Sequence, residues 1–416
     1  MEPEKRLILD TVALPQAGEG PGERARTRCA FVSTNSITQG EQVGVLWSWL
    51  LSKGMHIHFA HRTFQWSNEA RGMAAVHCVI IGFGAFDVDQ KTIHEYEDIR
   101  GEPHALRVAN INPYLVDAAD ILLPRRAKPL CAVPEIRFGN MPIDGGHLVL
   151  DPFEKDELLR KDPDVAEYVR PYIGAEEFIN GKERYCLWLK DVSPADLRLH
   201  PGLLSRVDAV KQFRQASKRP ATRDLASTPS LFGFISHRDK ENVIIPRMAS
   251  ERRQRIPIGY LPATTIVSDQ CFMLADGGPF YFAILSSEMH MAWVRYVCGR
   301  LKSDFRYSNS IVYNNFPWPD QPADAQRQKI EAAAQAVLDA RAQFPDATLA
   351  DLYDPLTMPP VLVRAHQKLD AAVDAAYGKK SFKNDAERVA FLFELYQRYT
   401  SLLPGTAKPK RRRSPS

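Results

Sequence analysis

The sequence has few cysteines and no long apolar run, and both absences exclude classes of protein. Its six cysteines are scattered through 416 residues, with no CxxC pair and no histidine at zinc-binding spacing. Most lie in apolar stretches such as VHCVII, so we expect the buried, reduced thiols of a cytoplasmic protein. No stretch approaches the roughly 18 apolar residues of a membrane span, and the N-terminus lacks the apolar core of a signal peptide.

The common catalytic signatures are also missing. No GxGxxG follows a strand pattern, and there is no Walker loop, GxSxG or HExxH. The tripeptide at 112–114, Asn-Pro-Tyr, matches the Asn-Pro-Pro-aromatic loop of adenine methyltransferases only in part, so we interpret it as a turn between helices. His56, His58 and His61 share one strand pattern, but no third ligand has suitable spacing. Polar strand positions explain these histidines better than a metal site.

An α/β pattern begins at Cys29. The runs CAFVSTNSI, HIHFAHRTFQW and AVHCVIIGF are strand-like, and GEQVGVLWSWLLSKG, after the first run, has apolar residues at helical spacing. AVHCVIIGF is apolar on both sides, which favours a central strand. A sheet of three strands leaves one edge unpaired, so we expect further strands in front of this unit.

The chain divides into six segments by composition and periodicity. We predict a disordered lead-in over 1–28, the end of an α/β domain over 29–90, linker helices and loops over 91–130, a domain rich in strands over 131–319, a helical region over 320–404 and a basic disordered tail over 405–416. Within the strand-rich domain, PFYFAILSSEMHMAWVRYVCG is predicted as one helix and YNNFPWP as the closing strand.

Long strings from residue 29 to about residue 400 resemble the MmeI-like methyltransferases, the modification halves of single-chain type II restriction-modification enzymes. The strings include FVSTNSITQGEQVGVLW, HRTFQWSNEARGMAAVHCVIIGF, FGNMPIDGGHLVLDP, IIPRMASERRQRIPIGYLP and GRLKSDFRYSNSIVYNNFPWP. The resemblance implies an α/β remnant of a class I (Rossmann-like) methyltransferase sheet, an α+β target-recognition domain and a helical C-terminal region. It also implies double-stranded DNA as partner, and S-adenosylmethionine and N6-methyladenine as cofactor and product of the full-length family.

By the same resemblance, the motif that binds S-adenosylmethionine and the Asn-Pro-Pro-aromatic loop would lie upstream of Cys29. We therefore assign no catalytic and no cofactor-binding residue, and we expect this chain alone to be inactive and to bind no cofactor. Three interpretations stay open: the chain acts with a separate polypeptide that carries the upstream motifs, it is a freestanding DNA-binding specificity subunit, or it is a decayed fragment of a larger enzyme.

Two aromatic residues are candidates for contact with a flipped base. An enzyme that modifies a base within a duplex must extrude that base, and the extruded ring needs an aromatic face to stack on. The resemblance implies that the loop before the last strands supplies this face, which points to Phe64 and Trp66. The alternative is that both rings are core aromatics at strand ends.

A first basic segment lies between two strand patterns. Its polar residues are Arg247, Ser250, Glu251, Arg252, Arg253 and Arg255. Arginine forks suit guanine O6 and N7 as well as phosphate, and a carboxylate can accept from cytosine N4. The net charge of +4 is too small to indicate nucleic acid by itself, and a solvated hairpin charge run is the alternative. Because the flanking strings resemble a target-recognition domain, we favour DNA contact.

A second cluster follows the predicted helix. It contains Arg300, Lys302, Arg306, Tyr307 and Asn309. Lys302 and Arg306 are predicted to contact phosphates, and the Asn309 amide is suited to hydrogen-bond adenine N6 and N7. The alternative is that Asp304 simply neutralises Arg306. Which of these residues contacts a base cannot be read from the sequence.

Overall fold

The computed structural model describes residues 27–66, 76–320 and 322–402. The predicted lead-in, apart from its last two residues, and the predicted basic tail lie outside these ranges. All six cysteines lie within them, and none forms a disulfide. No helix in the described ranges is long and apolar enough to cross a membrane.

The first part of the chain forms a five-stranded sheet with one helix. Its elements are β1 (Arg28–Thr34), α1 (Glu41–Ser52), β2 (His56–Trp66), β3 (Val76–Gly84), β4 (Lys91–Glu95) and β5 (His104–Val108). The strand order is β1-β3-β2-β4-β5. Strands β1 and β2 both pair antiparallel with β3, so they run parallel to each other, and β4 runs parallel to β2. The predicted strand, helix, strand, strand order is confirmed, and β3 is an interior strand between β1 and β2.

The segment 91–130 differs from its prediction as linker helices and loops. It contributes β4 and β5 to the sheet and contains no helix. The alternation in KTIHE explains the strand, because it buries Lys91 and Ile93 on one face. The turn predicted at Asn112 is present but joins no helices. The Asn112 side-chain oxygen accepts hydrogen bonds from the backbone N–H groups of Tyr114 and Val116 at 3.0 and 3.1 Å.

The middle of the chain forms three small sheets and several short helices. Its first elements are β6 (Arg137–Phe138), β7 (Val149–Leu150), α2 (Pro152–Lys161), β8 (Val169–Ile173), α3 (Ala175–Asn180), β9 (Tyr185–Leu187), α4 (Pro194–Leu199), α5 (Pro201–Gln215) and α6 (Pro220–Asp224). There follow β10 (Asn242–Pro246), β11 (Met248–Ala249), β12 (Gly259–Leu261), β13 (Ile266–Val267) and β14 (Cys271–Ala275). The sheet orders are β12-β10-β14-β6 and β13-β8-β9-β7.

A separate small core lies under the β13-β8-β9-β7 sheet. It packs Leu150 and Leu187 of the sheet against Leu203 and Val207 of α5. Beside this core, Arg214 is fully buried and donates hydrogen bonds to five backbone carbonyls, those of Pro142, Ile143, Leu225, Thr228 and Leu231. A guanidinium can satisfy several carbonyls at once, so this side chain fixes the loops at the end of α5.

The region predicted as one helix forms two. They are α7 (Pro279–Ser286) and α8 (Glu288–Val297), separated by Ser287. The Ser287 hydroxyl accepts from the backbone N–H of His290 and donates to the carbonyl of Ile284. Serine competes with the helix for backbone hydrogen bonds and favours an N-cap position, which explains the break.

The predicted closing strand is also different. After the hairpin of β15 (Arg300–Leu301) and β16 (Asp304–Arg306), the chain forms a π-helical turn over Asn309–Tyr313. The Ser308 hydroxyl caps this turn, and the buried Asn315 amide donates to carbonyls of the turn. The segment therefore satisfies its backbone locally instead of joining a sheet. β16 pairs with β11 and β15 in a three-stranded sheet.

The predicted helical region is confirmed. It contains α9 (Asp324–Ala342), α10 (Leu349–Leu352), α11 (Pro360–Ala376) and α12 (Asp385–Leu402). One continuous core joins these helices to α7, α8 and the first sheet. At its margin Arg295 pairs with Glu288 and Asp385, and Arg388 pairs with Asp374 at 3.0 Å.

His290 is a buried histidine inside this core. It is 1% exposed, its Nε2 lies 2.9 Å from the Tyr307 hydroxyl, and its ring packs edge-on against Phe316. Burial lowers the pKa of His290 to about 3. The side chain is therefore neutral in the folded protein across the physiological pH range.

We predict that folding stability falls as the pH drops below about 6.5. The unfolded histidine takes up a proton near its ordinary pKa of about 6.5, whereas the folded one does so only near pH 3. In this window the unfolded state binds more protons, and stability is lost. His290→Gln should reduce the loss of unfolding free energy between about pH 6.5 and about pH 5 by roughly 1.5 kcal/mol. Urea unfolding of both proteins at both pH values measures the difference, and equal losses would contradict the prediction.

Candidate nucleic-acid interface

The parallel strands of the first sheet end at one common edge. Strands β1, β2 and β4 run in the same direction, so the residues at their carboxyl ends lie near each other. In open α/β sheets this edge is where ligands bind. The edge carries an aromatic group of Phe64, Trp66 and Tyr96. Phe64 stacks on Tyr96 with ring centroids 5.3 Å apart, and Trp66 lies 6.1 Å from Phe64.

The aromatic group is partly open to solvent. Phe64 is partly buried, whereas half of the Trp66 surface is exposed. The Tyr96 hydroxyl lies 2.9 Å from His61 Nδ1. Burial, with a smaller electrostatic effect of His94, lowers the pKa of His61, so this contact joins two neutral groups. The arrangement holds a flat aromatic face at the sheet edge.

A polar cavity of about 230 Å³, here called the edge pocket, lies at the same edge. The sheet contributes Asn35, Thr38, Gln39, Thr63, His77 and Tyr96 to its lining. Glu251 and Arg300 line it from the side of the β15–β16 hairpin. The edge pocket therefore lies between the first sheet and the middle region of the chain.

A second cavity of about 520 Å³, here called the arginine cleft, brings together residues from both predicted basic segments. Arg247 comes from the first segment, and Arg300, Arg306, Tyr307 and Asn309 come from the second. Residues 39–42 of the first sheet's connection form part of the facing wall. A groove lined by arginines and an amide suits a polyanion with hydrogen-bonding groups.

Two of the cleft arginines are held in fixed positions. The Arg247 guanidinium lies over Phe138 at 4.9 Å and over Phe272 at 5.7 Å, and donates to the carbonyl of Asp269 at 2.7 Å. Arg300 lies 3.8 Å above the Phe305 ring and donates to the carbonyl of Ser303. Stacked guanidinium groups lose little further entropy when they bind a ligand.

Arg306 is exposed, and its guanidinium has no partner among the described residues. The alternative that Asp304 neutralises it is not observed, because the Asp304 carboxylate accepts from the backbone N–H of Glu251. Asn309, which begins the π-helical turn, lines the same cleft. Arg306 and Asn309 are therefore available for contact with a ligand.

Two predicted residues are engaged inside the protein. Tyr307 borders the cleft but is 2% exposed, and its hydroxyl is bonded to His290. Arg255 pairs with Asp370 of α11 at 2.6 Å and with Glu288 at 3.3 Å. These contacts assign Tyr307 to the core and Arg255 to the junction with the helical region. They argue against direct DNA contact by either side chain.

The other predicted residues lie near the edge pocket or on exposed turns. The Glu251 carboxylate is 3.6 Å from both His77 Nδ1 and the Arg300 guanidinium, so it links the sheet to the hairpin. Arg252 is exposed and Arg253 partly exposed in the turn after Ser250, whose hydroxyl and carbonyl accept their backbone N–H groups.

Lys302 occupies the tip of the β15–β16 hairpin with φ of 56° and is exposed. Residues with a β-carbon rarely adopt this left-handed backbone conformation, and here the hairpin turn requires it. The side chain lines neither the edge pocket nor the arginine cleft.

The sequence analysis missed several residues that line the two cavities. Tyr96 lies in a segment that we interpreted as linker, and Gln39 lies in a polar turn. Arg125 and Phe138 line the arginine cleft although they lie outside both basic segments. Arg125 stands in the run LPRRAKP, whose adjacent basic residues were the available signal.

A close backbone contact sets the sheet against the hairpin. The Gly40 N–H donates to the carbonyl of Val297, at the end of α8, at 3.0 Å. Gly40 has φ of 63°, and a β-carbon there would lie 2.9 Å from the Gly299 α-carbon. Only glycine permits both this backbone conformation and this approach. The contact lies directly between α1 and the arginine cleft.

Three family models cover most of the chain. The model "MmeI, DNA-methyltransferase domain" matches residues 18–95, "MmeI, target recognition domain" matches 117–320 and "MmeI, C-terminal domain" matches 322–404. The first match reaches back beyond Cys29, where we placed the start of the ordered chain. The edge pocket therefore has walls from the first two matched regions, as does the arginine cleft.

Two relatives are similar over nearly the whole chain. DNA methyltransferase A of Bacillus subtilis (strain 168) is 41% identical over 373 residues, which are 90% of this chain and 42% of the relative. A solved structure of the type IIL restriction-modification enzyme MmeI in complex with DNA is 50% identical, with a TM-score of 0.82, and the match covers 90% of this chain and 50% of that one. The chain thus spans half or less of the length of these relatives.

We predict that Gly40→Ala destabilises the protein by at least about 2 kcal/mol, because the β-carbon adds both backbone strain and a collision with Gly299. Gly54→Ala is the matched control, since Gly54 also has a positive φ, of 72°, but open space around it. It should cost only about 1 kcal/mol. Urea unfolding measures both values, and equal costs would show that the contact between Gly40 and Gly299 contributes nothing.

Proposed function

Because the chain belongs to the MmeI family of type II restriction-modification DNA methyltransferases, we propose that it binds double-stranded DNA in the arginine cleft and recognises the site for adenine-N6 methylation. The observation that carries this proposal is the meeting of two sequence-distant basic segments in one cleft that faces the first sheet. The DNA complex of the MmeI relative supports it.

The residues of the cleft divide by their surroundings. Arg247, Arg306 and Asn309 offer donors toward the cavity and suit base edges, where arginine forks bind guanine and an amide binds adenine. Arg252, Arg253 and Lys302 lie on turns outside the cavity and suit phosphates, which position a duplex without reading its sequence.

We further propose that the target base is extruded toward the first sheet. Strands β1 and β2 are parallel and connected through α1, the arrangement of an α/β sheet and of a class I methyltransferase remnant. The aromatic faces of Phe64 and Trp66 at its carboxyl edge suit stacking with an extruded adenine. Tyr96 stacks on Phe64 and so supports that ring from one side.

The full-length methyltransferase family uses S-adenosylmethionine, and the described residues do not fit this cofactor on their own. At the carboxyl end of β1 the Thr34 and Ser36 hydroxyls bond to each other at 2.8 Å, and Asn35 donates to Thr63. No glycine-rich turn with free backbone donors follows a parallel strand within the described ranges. We therefore propose no cofactor-binding residue and no methyl transfer by this chain alone.

A separate polypeptide that carries the S-adenosylmethionine-binding and Asn-Pro-Pro-aromatic motifs is the partner we propose. The edge of β1 that faces away from β3 has no neighbour in the described ranges. Apolar side chains are exposed on β1 and on α1, the helix that follows it in the chain: Val32 on the strand, and Val45 (78% exposed) and Trp49 (60% exposed) on the helix. An unpaired edge beside apolar surface suits a further strand and helix. A freestanding specificity subunit and a decayed fragment are the alternative proposals.

DNA binding should depend steeply on salt and on Arg306. We predict that Arg306→Ala lowers the affinity for DNA about tenfold. The exposed guanidinium in the cleft has no partner within the described part of the chain and is free to contact DNA. If Arg306 contacts a phosphate instead, the slope of log affinity against log salt should shrink by about one. Fluorescence anisotropy at two salt concentrations measures both quantities.

Arg364→Ala is the matched control, because it removes the same charge from an exposed position of α11 that lines neither cavity. It should leave affinity within about twofold. Equal losses in the two variants would mean that bulk charge rather than the cleft holds the DNA. A wild-type chain that binds no DNA would overturn the proposed function.

Calorimetry with S-adenosylmethionine tests the division between two polypeptides. We expect no binding heat for the purified chain at cofactor concentrations up to about 1 mM, which is well above the affinity of a functional site. Omission of cofactor should leave DNA binding unchanged. Saturable binding of one cofactor per chain would contradict the proposal, and the chain should then be assayed for methyl transfer.

A further inference from the structure

Gln39 lies between the two cavities of the candidate interface. It ends the short 3-10 turn Asn35–Thr38 that follows β1 and is 8% exposed. Its side chain lines the edge pocket and also the arginine cleft, and Arg300 is the second residue that lines both. The two cavities therefore adjoin at these two side chains.

The two side chains differ in what they still lack. Arg300 already donates to the carbonyl of Ser303 and lies over the Phe305 ring. The Oε1 atom of Gln39 is a buried acceptor with no hydrogen-bond partner among the described residues, whereas the buried atom that Arg300 leaves unpaired is a donor, its Nε–H. A buried acceptor without a donor costs free energy, so a ligand that brings an N–H group to this point gains more than an ordinary surface contact would.

The backbone holds Gln39 in place. The Gly40 N–H, on the next residue, is bonded to the carbonyl of Val297, and Gly40 packs on Gly299. On the other side, the Thr38 hydroxyl donates to the carbonyl of Asn35 at 2.8 Å. The backbone at Gln39 is therefore fixed, and the side-chain amide can move only by rotation about its own torsions.

We propose that Gln39 hydrogen-bonds the thymine that is left unpaired in the duplex when the target adenine leaves the stack. This inference rests on the proposed function, in which the duplex lies in the arginine cleft and the adenine reaches the aromatic group at the sheet edge. Tyr96 of the aromatic group lines the edge pocket, so the route from the arginine cleft to that group leads past Gln39 and Arg300, which border both cavities. The vacated position in the duplex then lies next to Gln39.

The chemistry of a primary amide matches the exposed edge of thymine. Oε1 accepts from thymine N3–H, and Nε2 donates to thymine O4, so both groups that had paired with adenine are satisfied again. Arg300 cannot replace this contact, because a guanidinium has donors and no acceptor. Gln39 is thus a positioning residue for base extrusion and takes no part in methyl transfer.

The test uses duplexes that need no extrusion by the chain. With a recognised sequence selected from random duplexes, each adenine is replaced in turn by an abasic residue. The position at which this strengthens binding identifies the target, since an unpaired site removes the cost of unstacking. That duplex leaves the thymine unpaired, and a second duplex carries abasic residues at both positions.

On the duplex with the unpaired thymine, Gln39→Ala and Gln39→Met should each weaken binding about five- to tenfold in fluorescence anisotropy. On the doubly abasic duplex the loss should be less than about twofold, because the contact is already absent. Gln42→Ala is the control: Gln42 lines the cleft but not the edge pocket, so its effect should be equal on the two duplexes.

Three results would overturn the inference. Equal losses for the Gln39 variants on both duplexes would show no contact with the thymine. Wild-type affinity of Gln39→Met would show that the side chain acts by its size and not by hydrogen bonds. Failure of the wild-type chain to bind any duplex would overturn the proposed function and this inference together, whereas sequence-specific binding without thymine dependence overturns only the inference.

Discussion

The approach of Gly40 to Gly299 sets the first sheet against the β15–β16 hairpin, between which both cavities lie. It joins the connection after β1 to the segment between α8 and the β15–β16 hairpin, with a backbone hydrogen bond to Val297 beside it. A β-carbon at Gly40 would lie only 2.9 Å from the Gly299 α-carbon, so a larger residue there would push the sheet away from the hairpin. The edge pocket and the arginine cleft both take their walls from these two elements, so their shapes follow from a contact that involves no functional side chain.

A shared core and buried ion pairs connect the sheet and the hairpin to the rest of the molecule. The core includes Val43 of α1, Leu285 of α7, Val373 of α11 and Phe393 of α12. Arg255 crosses from the strand-rich region to Asp370 of α11. Replacement of one member of such a pair leaves an unpaired charge, which is costly in a buried setting. The helical region therefore supports the cleft without lining it.

Local patterns predicted β1, β2 and β3 of the first sheet and the C-terminal helices, because each has a clear periodicity. Ser287 divides the region that we predicted as one long helix. The sequence alone did not indicate this break, because serine occurs both as a helix cap and within helices. The resemblance pointed to Arg247 in one basic segment and to Arg306 and Asn309 in another. The structure brings the three into one cleft, and their contact with DNA is still a prediction. Burial of Tyr307 and the pairing of Arg255 with Asp370 depend on tertiary packing that no short segment encodes.

The small core beneath the β13-β8-β9-β7 sheet has a consequence for how the protein unfolds. Its side chains, such as Leu150 and Leu203, belong to a set separate from the large core. Separate cores are a basis for separate cooperative units, each with its own free energy of opening. A substitution in this sheet can then melt one unit while the cleft persists. We therefore expect this unit to have its own free energy of opening, distinct from that of the large core that holds His290.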